Sequence, residues 1–188
     1  MTFSGMTMTS TPTARFPIGR AVVATWLVTA VWDFVCASAL SVIAYDAVFI
    51  RFWRGIASVP LGPRALEMGA LGFVAGVGTH FLVALTWSSL FVLAVTRSRT
   101  LQQAIARPLG AVAVAAVYGP LIWLVMSLVA IPLATGRPPV IGFRWWVQVF
   151  AHPPFVTLPL VFTARHVLGL ADEVGRRARP LEGAGVSR

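Results

Sequence analysis

No lysine occurs in this sequence, cysteine occurs once, and fifteen arginines stand against only six aspartates and glutamates. Charged residues make up 11% of the chain and apolar residues 57%. That balance excludes a water-soluble globular domain, whose surface cannot be built from so little polar material. A lone Cys36 excludes an internal disulfide and reads as a small apolar residue within a helix. The sequence also lacks a Ser-His-Asp arrangement, a glycine-rich phosphate loop, paired carboxylates and a His-Glu-x-x-His helix. Catalytic residues, a metal site and a cofactor are therefore not expected.

What the chain does contain is long apolar runs: Ala21–Ala44, Gly69–Val95, Leu109–Ala134 and Trp145–Leu170. A helix needs roughly 20 such residues to cross a bilayer. The expected fold is all-α, a polytopic membrane protein with a four-helix transmembrane bundle over residues 20–171. Residues 1–19, rich in Thr, Ser and Met, read as a disordered tail, and residues 172–188 as a basic tail. Arg20, the apolar stretch and Ala37-Ser38-Ala39 imitate a signal peptide. Asp33 in the would-be apolar region, and hydrophobicity that continues through Ala44, predict an uncleaved first helix instead.

The net charge of +9 would suit nucleic acid only if the arginines gathered on one face. They lie instead in loops and tails between apolar runs, so no nucleic-acid partner is expected and the charge is assigned to topology. Arg15, Arg20, Arg97, Arg99, Arg107, Arg165, Arg176, Arg177 and Arg179 fall on one side of the membrane. Arg51, Arg54, Arg64, Arg137 and Arg144 fall on the other. The excess on the first side predicts that both termini are cytoplasmic, in a bacterial inner membrane.

Several segments depart from plain spans. Ala47–Val59 mixes Phe49, Phe52, Trp53 and Ile56 with Arg51 and Arg54, which suits an interfacial helix or an extension of the first span. In the second run Gly72, Gly76, His80, Ala84 and Ser88 recur every four residues, a smooth stripe for close packing with Gly72, Gly76 and Ala84 as its small members. The first span is its expected partner. Ala111, Ala115 and Gly119 offer a similar face in the third run, and Gly119-Pro120 predicts a bend there. Pro153, Pro154 and Pro159 predict a kinked or broken fourth helix: an arm Trp145–Ala151, a break, then a helix from Pro154 or Phe155.

Asp33 is the residue most out of place. A charged aspartate at the centre of a spanning helix costs about 2.5–3.5 kcal/mol, so it should be protonated, paired or wetted. His80 lies at similar depth on the antiparallel second span and is the simplest partner. Thr25 and Thr29 extend a polar stripe toward Asp33. Tyr118, near the middle of the third span, is a candidate donor to Asp33 or His80, and His152 a candidate fourth member. Two readings follow: a binding or transport-like module for a proton or small ion, or a structural protein whose polar groups only lock the bundle. A third, haem or metal redox chemistry, needs converging imidazoles, whereas His80 is expected roughly five residues deeper than His152, at about 1.5 Å per residue. His166 is expected at the cytoplasmic end. Lipid surrounds the bundle, and a second copy or a membrane-complex partner is compatible with the small-residue faces.

The order of short motifs resembles a large group of uncharacterised four-helix bacterial membrane proteins. It runs Asp33, then Gly55-Ile56-Ala57-Ser58 and Leu61-Gly62, then Gly78-Thr79-His80-Phe81 and Trp87. Tyr118-Gly119, Met126, Pro132-Leu133, Ala151-His152 and Leu158-Pro159-Leu160 follow. The chain is more distantly similar to the YagU-type inner-membrane proteins, through Thr79-His80, Pro132-Leu133, Pro138-Pro139, Trp145 and His152. The likeness covers about Ala21–Val167. It departs at Asp33, where that group has a basic residue, and at Trp123, where it has a histidine. It implies fold and location, and no activity.

Overall fold

A computed structural model of the protein describes residues 18–171. Most of both expected tails, residues 1–17 and 172–188, lies outside the described residues. The described chain is all-helical, and four of its helices are long and apolar enough to span a membrane. They are α1 (Ile18–Ala44), α3 (Gly69–Arg97), α5 (Pro108–Thr135) and α6 (Phe143–Val167). Two shorter helices join them, α2 (Phe49–Leu61) and α4 (Arg99–Ala106). The protein is thus a multi-pass membrane protein built as a four-helix bundle. Below, "proximal" is the end where α1 begins and "distal" the end where it stops.

Helix α1 packs between α3 and α6, and α5 lies against α6. Two side chains pin the antiparallel α1–α3 pair. Trp26 Nε1 donates to the Phe81 carbonyl at 2.8 Å, and His80 Nε2 lies 3.2 Å from the Ala30 carbonyl. At the proximal end a dry core joins Ala21, Phe91, Val95, Ile105, Ala111 and Leu160. The helix α4 that closes this end went unrecognised in the sequence because it is only eight residues long. Ser98 caps it, accepting from the Leu101 amide at 3.2 Å, and Arg165 donates twice to the Ala106 carbonyl at its far end.

The segment after the first span is a separate helix, not an extension of α1. Asp46, at φ 49°, takes the left-handed conformation that short polar residues tolerate, and the chain reverses into α2. The expected partner of the Gly72–Gly76 stripe has to be corrected here. A Cβ on Gly76 would collide with the Trp53 carbonyl, and one on Gly72 with the Ala65 carbonyl. The two glycines therefore face α2 and the turn after it, and only His80, one turn further along, faces α1. The reason lies in α2: Trp53 and Ala57 are fully buried, and that face occupies the groove the glycines open. Ala84 continues the row, half-buried.

Helix α6 is not broken. It runs as an α-helix to His152, widens through one π turn over Pro153–Thr157 and resumes at Leu158. Proline cannot donate, so the amide just before Pro159, that of Leu158, reaches back five residues to the Pro153 carbonyl. The same device precedes Pro132 in α5, where the Ile131 amide bonds the Met126 carbonyl. Regular helix meanwhile passes through Pro120, so the departure in α5 falls later than the sequence predicts.

Gly119 sits where α5 crosses the π turn of α6. A Cβ there would lie 2.7 Å from the Pro153 nitrogen and 2.9 Å from the His152 carbonyl carbon. Nearby, Thr157 Oγ1 donates to the Ala115 carbonyl at 2.7 Å and ties the two helices. Gly119→Ala should separate them and cost about 1–3 kcal/mol, the usual range for overpacking. Thermal unfolding in detergent would register this as a lowered Tm, whereas an unchanged Tm would contradict the close crossing.

Candidate functional site

Asp33 and His80 meet across the α1–α3 contact, Oδ2 to Nδ1 at 3.8 Å, with side chains 25% and 12% exposed. This is the only ion pair among the described residues. The separation is within range for attraction but too long for a direct hydrogen bond. The other imidazole nitrogen settles the protonation pattern. The Ala30 carbonyl can only accept, so His80 Nε2 carries a hydrogen. With Nε2–H fixed, a neutral imidazole turns the Nδ1 lone pair toward the carboxylate, and two electron-rich groups face each other. One proton on either member removes that conflict. The geometry thus sets Nδ1 and the carboxyl face to face, an arrangement in which one proton on either member would turn the meeting into an attraction.

Trp53, from α2, roofs this pair. Its ring stacks on Phe34 with centroids 4.6 Å apart and meets the His80 ring edge-on at 5.3 Å. Its Nε1 donates to Ser38 Oγ at 3.2 Å, so α1 and α3 are clamped over the site from the distal side. Phe81 adds a second edge-on contact to His80 at 5.7 Å. The imidazole is thereby locked in one orientation.

On its other side Asp33 lines a cavity of about 20 Å³, shared with Cys36, Leu40, Gln148, His152 and Phe155. A single water needs about 10–15 Å³ of such space and two or more polar partners, so the cavity fits one water. His152 reaches it from the turn before the π segment, with Nδ1 2.7 Å from the Gln148 carbonyl and its ring 5.2 Å from that of Trp123. His152 thus shares the cavity with Asp33, on the far side of α1 from His80.

Tyr118 has to be corrected. It donates to the Trp87 carbonyl at 3.0 Å and packs on Phe91, and neither Asp33 nor His80 is its partner. Its partners Trp87 and Phe91 lie about two and three turns beyond His80 along α3, toward the proximal end, which carries Tyr118 away from the pair. Thr25 spends its hydroxyl on the Ala21 carbonyl of its own helix, while Thr29 Oγ1, one turn before Asp33, is buried without a partner. His166 lies exposed near the proximal end of α6. Among the described residues no three of His, Cys, Asp and Glu gather at metal-ligating range.

Sequence reasoning missed two members. Trp53 sits in a segment read as an interfacial helix or an extension of the first span, and only the glycine row opposite it hints that this helix turns inward. Gln148 is the lone uncharged polar residue within Trp145–Ala151, and that isolation is the signal that marks it. No protein-family model matches the chain, and no curated protein or solved structure matches it either.

Proposed function

We propose that this protein is a transport-like binding module of the bacterial inner membrane, working through one exchangeable proton held by Asp33 and His80. The observation that carries the reading is the placement of that pair: half-depth in a spanning helix, imidazole on one side and a water-sized cavity on the other. A water held there would give the carboxyl a route for exchanging its proton, which a purely structural pair does not need. The apolar core at the proximal end and the cavities toward the distal end support entry from the distal side, as in one state of an alternating-access cycle. The direct test is proton flux in proteoliposomes of the purified protein. Asp33→Asn keeps shape and hydrogen bonding but cannot ionise, and should abolish the protein-dependent flux.

The competing reading is structural glue. It is favoured by the His80–Ala30 bond and the rings packed around His80, which would lock the α1–α3 register even without titration. Equal flux with and without Asp33 would select it.

The arginine distribution supports cytoplasmic termini and, with them, a distal end outside the cytoplasm. C-terminal reporter fusions should be active only as cytoplasmic reporters; activity of a periplasmic reporter would reverse the orientation. Lipid contact, and contact with a second copy or a complex partner, belong to the same proposal.

A further inference from the structure

At the distal end a much larger cavity, about 510 Å³, opens between the end of α1, α2, α5 and the start of α6. Gln148 belongs to its lining and also to that of the small cavity beside Asp33. The size lies within the range of small-molecule sites, about 300–1,000 Å³. Its polar equipment is one-sided. Arg137 and Arg144 are its only charged residues, and neither side chain makes an ion pair or hydrogen bond to another described residue. The Arg144 guanidinium lies over the Tyr45 ring, 4.6 Å from its centroid, held at the cavity by a cation–π contact. Tyr45 and Trp123 also line it, with their own polar atoms, Oη and Nε1, closed off from its open space. The remaining wall is mainly apolar, with Pro132, Pro139 and Trp145 among its members, and Ser41, Ser127, Thr135 and Gln148 interrupt it.

We infer that this cavity binds an amphipathic anion, a carboxylate or phosphate head on an apolar body. The head would sit between Arg137 and Arg144 and accept from their guanidinium groups. The body would lie against the proline and tryptophan wall. Guanidinium is suited to this because its planar fork matches carboxylate and phosphate oxygens, and because it loses hydration more readily than an ammonium. Nothing in the inference requires Asp33 to titrate, so it stands or falls apart from the proton reading. The same chemistry has two sources at a membrane surface: an anionic phospholipid or a free long-chain acid.

The test uses the full chain in phosphatidylcholine nanodiscs, titrated with oleate, with methyl oleate, and with phosphatidylglycerol introduced into the disc, and read by tryptophan fluorescence and Tm. Saturable binding of oleate or of phosphatidylglycerol, at least tenfold tighter than methyl oleate, is expected; whichever acid binds identifies the source. Arg137→Gln with Arg144→Gln should weaken that binding tenfold or more, and Arg144→Lys should weaken it less. If the double variant fails to fold, the comparison of oleate with its neutral ester in the native protein decides alone. Equal response to charged and neutral amphiphiles, no response to either acid, or undiminished affinity in a folded double variant would overturn the inference.

Discussion

Gly76→Leu should leave no folded bundle, the largest single-residue effect expected in this protein. The Cβ alone would collide with the Trp53 carbonyl, and the Ala57 amide nitrogen lies 3.4 Å from the same position. Both contacts are backbone of α2, which cannot swing aside as a side chain can, so relief requires α2 to move off α3. Overpacking by small increments already costs about 1–3 kcal/mol. A leucine displacing a whole helix adds the loss of the fully buried Trp53 and its contacts with Phe34, Ser38 and His80. Truncation-scale losses of a buried tryptophan are about 3–5 kcal/mol, so the sum approaches the entire stability of a typical domain. Gly78, two residues on, supplies the control. No atom lies within 4 Å of a Cβ built there, and it faces outward, so Gly78→Leu should purify normally. Size-exclusion profiles of the two variants separate the cases; a monodisperse Gly76→Leu protein with native Tm would refute the packing of α2 on α3.

Asp33→Asn should have the opposite signature, full loss of proton flux with the fold retained. The asparagine amide can fill the same space between His80 and the cavity, and the variant removes no packed carbon. It removes the site at which the second form of the pair holds its proton. His80 then has no acidic partner, and proton exchange with the cavity ends. Flux should fall at least tenfold, to the level of protein-free liposomes, while Tm changes little. Loss of both flux and Tm would point to a structural role, and unchanged flux would remove Asp33 from the mechanism.

The helices and their depth were legible because apolar run length alone sets them, and α1, α3, α5 and α6 begin and end within a few residues of the runs. The Asp33–His80 meeting was legible from counting residues down antiparallel helices. Neighbour choice was not. Periodicity marks Gly72 and Gly76 as a contact face but does not say which helix fills it, and an amphipathic α2 with two arginines reads as surface until Trp53 is seen buried. Tyr118 failed on height instead: a mid-span position is fixed only to within a few turns, and its partners Trp87 and Phe91 lie about two to three turns proximal of His80. The prolines of α6 suggested a break because their missing donors are visible in the sequence, whereas the π turn that absorbs one of them is not.

The central claim is that Asp33 and His80 share one proton with His80 Nε2–H fixed on Ala30. Nitrogen-15 NMR of histidine-labelled protein in lipid, with His80 assigned through its substitution by Gln, reads each ring nitrogen separately across pH. The account predicts Nε2 protonated at every pH and a single protonation step at Nδ1, whose midpoint moves in Asp33→Asn. A bare Nε2 with the hydrogen on Nδ1, or an Nδ1 step indifferent to Asp33→Asn, would contradict it.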